Sequence, residues 1–135
     1  MNKQSKTWLL AILILNIAST SIHYADNAIF VHEYPEPEWI TTSGVFITWV
    51  VMTSIGIVSY WLYSKHNFWL SYILLSIYSV TGLSSPTHYL YGTLSQFSLK
   101  MHAFIWSDAI AGFIVVGFII WSASIAQEWR KIEEI

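Results

Sequence analysis

Residues 99–129, LKMHAFIWSDAIAGFIVVGFIIWSASIAQEW, decide the class of fold. A helix needs about 20 mostly apolar residues to cross the hydrocarbon core of a bilayer. This run is long enough, and its charges are few. Three further runs share its character, roughly Thr7–Tyr24, Ser43–Ser64 and Phe68–Tyr91. The expectation is an all-α integral membrane protein, with four transmembrane helices forming a single domain over residues 1–135.

Composition agrees. The chain is 55% hydrophobic and 10% charged, whereas an ordinary soluble domain is roughly a quarter charged. A soluble chain this short could not hide so much apolar surface, because the fraction it buries is limited by its size. A bilayer removes the difficulty by solvating the apolar face. Eight Trp and eight Tyr suit aromatic belts at the membrane interfaces. A net charge of −2 gives no electrostatic case for nucleic acid. The absence of cysteine excludes disulfides, iron–sulfur clusters, thiolate metal sites and a cysteine nucleophile.

The first apolar run has the outline of a signal peptide, with Lys3 and Lys6 ahead of Trp8 to Ala18. Ser19-Thr20-Ser21-Ile22-His23 is nevertheless a poor small-x-small cleavage site, so the segment reads as a retained helix.

The connections set the topology. Ser64–Asn67 is a tight turn and Gly92–Ser98 a short link. The long loop spans residues 26–42 and holds Tyr34-Pro35-Glu36-Pro37-Glu38-Trp39, whose two prolines favour extended backbone. Short links favour antiparallel neighbours, hence an up-down-up-down bundle. Lys3, Lys6, Lys65, Arg130 and Lys131 fall on one side, and Lys100 alone on the other. The positive-inside rule then places both termini in the cytoplasm and the long loop outside. The short chain points to a bacterial inner (plasma) membrane.

Titratable groups gather at the extracytoplasmic end. His23 and Asp26 end the first helix, His88 ends the third and His102 opens the fourth, while only His66 lies at the other face. Asn16, Ser19, Thr20, His23, Asp26 and Asn27 form one polar stripe. Thr81, Ser84, Ser85 and His88 form another, interrupted by Pro86, which frees a carbonyl one turn earlier. Such irregularity at membrane depth is tolerated where a neighbour or a cavity satisfies the freed group.

His23, His88 and His102 on three helices could together bind zinc, iron or copper. A carboxylate often fixes a ligating imidazole from behind, and Asp26 has the spacing to do so for His23. Asp108 lies about 9 Å deeper than His102 and is turned by about 240° from it, so it would reach across the bundle to the first or third helix. An ionisable group inside a span is a functional signal by default; its bland alternative is a structural partner for Lys100, a histidine or a hydroxyl. Asp108 and Asp26 are the candidate catalytic groups, and Asn27, Ser84, Ser85 and Tyr89 the other pocket residues. Glu36 and Glu38 read as a solvated acidic turn that could gather cations. Ala109, Gly112 and Gly117 read as helix-packing positions, in the bundle or against another subunit.

The leading reading is a metal-dependent membrane enzyme acting on a lipid or other apolar substrate. Competing readings are a haem protein with two axial histidines, a pocket holding a cationic group between Asp26 and Asp108, and a small accessory subunit of a membrane complex or homo-oligomer. Histidines that merely sit at the interface, and hydroxyls that merely cement helices, are the structural alternative. An acidic residue after the first helix, a loop with proline and tryptophan, and a polar third helix together resemble the EXPERA group of sterol isomerases and sigma-2 receptors. The likeness is one of layout, and it assigns no residue a role.

A reporter fused after Ile135 is expected on the cytoplasmic side, and a tag placed between Glu33 and Glu38 is expected to be accessible from outside. Labelling of Lys65 from the outer face would reverse the orientation.

Overall fold

The computed structural model describes residues 3–130. Lys131, one of the charges used to orient the chain, lies outside the described residues. Four α-helices account for most of them: α1 Lys3–Ile29, α2 Thr42–Ser64, α3 Phe68–Leu83 and α4 Leu99–Ile120. Three helical segments are long and apolar enough to cross a membrane, namely α1, α2 and Leu99–Ile125. α3 is shorter, with 16 residues, or about 24 Å at 1.5 Å per residue.

Each helix packs beside its sequence neighbours. α1 lies against α2 and α4, and α3 against α2 and α4, so α1 and α3 stand on a diagonal. The first and last described segments, around Ser5 and Glu128, meet at one end of this arrangement, the terminal end. The α1–α2 loop lies at the other, the loop end.

The inward faces follow helical periodicity. On α1 the inward face is Ser5, Leu9, Leu13, Asn16, Thr20, His23 and Asn27, with Ala28 also buried beside it. The positions of this face rise in steps of three and four, as one face of a helix requires. On α4 the inward face is Met101, Ile105, Asp108, Gly112, Val115 and Phe118. Leu9, Leu13, Leu75 and Val115 form an apolar layer within the main core cluster.

α3 ends earlier than the sequence suggests, at Leu83 rather than Tyr91. Pro86 has no N–H to donate, its ring clashes with the carbonyl four residues back, and it restricts the residue before it. The backbone tightens into a 3₁₀ turn over Ser85–Leu90.

α4 also stops short of its expected end and passes into a π turn over Trp121–Ile125. There Ala126 N–H reaches Trp121 O at 2.8 Å. Gln127 then adopts a left-handed conformation, φ 46°, which turns Glu128 back into the bundle. Conversely, α1 runs to Ile29, a full turn beyond the expected Tyr24, and shortens the loop.

α3 and α4 meet at two glycines. A Cβ on Gly82 would stand 2.2 Å from Asp108 O, and one on Gly112 would stand 2.9 Å from Leu83 N. Only hydrogen fits at either place. Gly117 differs: a Cβ there meets nothing within 4 Å, so it is not a packing glycine within the bundle. Gly82→Ala should therefore cost about 1–3 kcal/mol or more as overpacking, and lower the melting temperature in detergent. Gly117→Ala should leave it unchanged or raise it, since a mid-helix glycine costs roughly 0.5–1 kcal/mol relative to alanine. Equal effects of the two substitutions would contradict the close α3–α4 approach.

Candidate functional site

Asp108 is fully buried, and its partners come from α1. His23 Nδ1 lies 2.8 Å from Asp108 Oδ2, with both side chains essentially excluded from solvent. Ser19 donates its hydroxyl to the other carboxylate oxygen, and Ser19 in turn lies 3.1 Å from Ser107. A carboxylate can only accept, so Nδ1 carries the hydrogen and Nε2 of neutral His23 is left as a lone pair. Nε2 is buried and has no hydrogen-bond partner.

A cavity of about 320 Å³ opens beside this pair, between α1, the first turns of α2, the end of α3 and the loop. His23, Asn27, Ser84, Ser85 and His88 line it, together with Glu36, Tyr24 and Trp39. The cavity exists because α2 packs loosely at the loop end: its buried residues, Gly56, Ser59, Leu62 and Tyr63, all lie in its second half. Gly44, Val45 and Thr48 of the unpacked half form one wall.

Glu36 is not a solvated loop residue. Its side chain is 4% exposed and its Oε1 lies 3.0 Å from His88 Nδ1. Asn27 donates to the same oxygen, while Oε2 is buried without a partner. The His23 and His88 rings lie close together, with centroids 5.5 Å apart and planes tilted by 55°.

Asp26 plays another part. Lys100 Nζ lies 2.6 Å from its Oδ1, and Tyr34 donates its hydroxyl to Oδ2 at 2.8 Å. Lys100 also sits 4.1 Å above the Phe30 ring. These contacts tie the loop to α1 and α4. Burial first, and then the bond to Asp26, push the Tyr34 phenol far above its ordinary range, so it remains a donor at any physiological pH. Asp26 therefore holds the loop, and the carboxylate behind His23 is Asp108. Lys100, a possible partner for Asp108 on sequence grounds, belongs to Asp26.

His102 does not join His23 and His88. Its Nδ1 lies 2.7 Å from the Tyr89 hydroxyl, and its ring packs beside Phe97. The inward face of α4 passes through Met101, Ile105 and Asp108, and one residue is about 100° of rotation, which carries His102 and its partner Tyr89 off that face. The expected three-imidazole ligand set is thus not formed. Among the described residues no group of three His, Asp or Glu side chains is placed to hold a metal ion.

A second polar centre, at the terminal end, escaped the sequence reading. Glu128 is buried and accepts from Ser5 at 2.6 Å, from Ser122 at 3.0 Å and from Tyr63. Tyr72 joins through Ser122 at 2.8 Å. α1, α2, α3 and the π turn that follows α4 each contribute one member. The sequence shows only an acidic residue just ahead of Arg130, and the π turn that folds it inward has no marker of its own.

Comparison of the chain with known protein families, with characterised proteins and with solved structures finds no match.

Proposed function

We propose that the chain is a four-span membrane enzyme, with both termini in the cytoplasm, that performs proton-transfer chemistry on an apolar or lipid-like substrate. The substrate enters the cavity at the extracytoplasmic end, where the loosely packed half of α2 borders the bilayer. α3 with its 3₁₀ extension supplies the remaining span.

One observation carries this reading. His23 is held at Nδ1 by a buried carboxylate, while Nε2 is unpartnered and the residue lines a cavity. That is the arrangement of a general base whose tautomer is fixed from behind. Nε2 takes a proton from the substrate, and the imidazolium that forms is stabilised by the negative charge of Asp108, as in other carboxylate–histidine pairs. The same nitrogen returns a proton to a neighbouring atom of the substrate, after the one it took has exchanged with water entering the cavity mouth. A proton is removed and a proton is restored, so a shift of a double bond or a tautomerisation balances with no oxidant, reductant or co-substrate. Apolar surroundings favour the transfer, because in them the attraction of Asp108 for the developing charge is weakly screened.

The bilayer also explains why the pair is assembled in this way. A lone carboxylate would be driven to its neutral form by desolvation. Ser19 and His23 keep Asp108 hydrogen-bonded without adding a permanent cation. A binding protein with the same pocket and no turnover is the competing reading, and isotope exchange separates the two.

Protein reconstituted in D₂O with a total membrane lipid extract is expected to place deuterium at a non-exchangeable carbon of one lipid class, read by mass spectrometry. His23→Gln and Asp108→Asn should each reduce the rate by about 10²–10⁴-fold, the usual contribution of a positioned acid–base group, while the variants remain folded and inserted. Exchange that survives both substitutions, or no exchange in the wild type, defeats the proposal.

A further inference from the structure

The polar groups of the cavity are unequally satisfied, and the inequality defines what the cavity accepts. Most of its hydroxyls are already committed. Ser84 and Ser85 each donate to Thr81 O at 3.4 Å, Thr87 donates to Ser84 O at 2.6 Å, and Thr81 donates to Tyr78 O. Such back-bonding to the helix is the default for hydroxyls on apolar helices. Asn27 donates to Glu36. His88 Nδ1 faces the same carboxylate oxygen, which can only accept, so it too donates.

Two buried atoms of cavity-lining residues remain without a partner: Glu36 Oε2 and His23 Nε2. Both are acceptors, the first because it belongs to a carboxylate and the second because the hydrogen is on Nδ1. A buried carboxylate oxygen left unsatisfied is costly. Ile40, Val45 and the ring faces of Tyr24 and Trp39 supply apolar surface to the same cavity. The buried atoms of the lining that remain unpaired are therefore both acceptors, and carboxylates stand at two points, Glu36 in the lining and Asp108 behind His23.

We infer that the substrate is an amphiphile whose head carries an O–H or N–H donor, anchored by Glu36 Oε2, and that heads without a donor, or with an anionic charge, are rejected. This rests on the proton-transfer reading for what happens next at His23, but recognition by Glu36 stands on its own geometry. The shared chemistry is hydrogen-bond donation. A protonated amine and an alcohol are its two sources, and the amine gains in addition from the negative charge of Glu36.

The full chain in lipid nanodiscs, ¹⁵N-labelled at histidine, would be titrated with dodecylamine, dodecanol, dodecyl methyl ether and dodecanoate, reading the His23 and His88 imidazole resonances. Dodecylamine or dodecanol should shift both saturably and bind about tenfold or more tightly than the ether and the carboxylate, the difference expected for one hydrogen bond to a charged group. Saturation by the amine alone identifies the ammonium as the head, and saturation by both identifies the neutral donor as sufficient. In Glu36→Gln the affinity for the better ligand should fall about tenfold. An ether that binds as tightly as the alcohol and the amine would overturn the inference, as would a Glu36→Gln protein with unchanged affinity. If that variant does not fold, judged by dispersion of its Trp indole resonances, the ligand series on the wild type decides alone. Binding that depends on Glu36 while deuterium exchange ignores His23 and Asp108 would sink the enzymatic reading and leave this one intact.

Discussion

The carboxylate of Asp108 has no access to solvent, and the loop end of the bundle is arranged around that constraint. Removing a carboxylate from water carries an effective penalty of several kcal/mol even after relaxation, and removing one partner of a buried pair costs about 3–5 kcal/mol. α1 supplies both partners on adjacent turns, Ser19 and His23. α3 can approach the same point only because Gly82 has no side chain to strike the Asp108 carbonyl. Fixing Asp108 fixes the His23 ring, and the fixed ring decides which nitrogen is left without a partner.

The bundle carries a hydrogen-bonded centre at each end and a mainly apolar stretch between them, in which Asn16 is also buried. Glu128 gathers hydroxyls from α1, α2 and the π turn, and from α3 through Ser122, whereas Leu9, Leu13, Leu75 and Val115 belong to the apolar core cluster. Lipid tails are as apolar as leucine, so apolar burial alone gives helices in a bilayer little reason to associate. Hydrogen-bonded centres and close glycine contacts supply the specificity. The two centres differ in one respect that bears on function: the Glu128 oxygens are both satisfied, while the loop-end group retains two unmet acceptors. The first behaves as a tie and the second as a site.

Much of this was legible in the chain. The three- and four-residue spacing of Asn16, Thr20, His23 and Asn27 gives the inward face of α1, and an acid inside an apolar run marks Asp108. The spacing cannot show which carboxylate serves His23. Asp26 is close in sequence, but Lys100 and Tyr34 claim it, and Asp108 reaches His23 from another helix. His102 shares a depth with the other histidines and fails on rotation, a distinction that needs the phase of α4 against its neighbours. Glu36 was hidden because loop acids are ordinarily solvated; its burial follows from Asn27 and His88 drawing it inward. Glu128 was hidden because nothing in its neighbourhood foretells the π turn.

The state of the His23 ring tests the central claim most directly. Nitrogen NMR of the labelled protein in nanodiscs distinguishes the two neutral tautomers, because the protonated and unprotonated ring nitrogens resonate far apart. The neutral form should carry its hydrogen on Nδ1, with Nε2 bare, and Asp108→Asn should abolish that preference. A neutral ring protonated on Nε2 in the wild type, or a tautomer indifferent to Asp108→Asn, would contradict the proposed base.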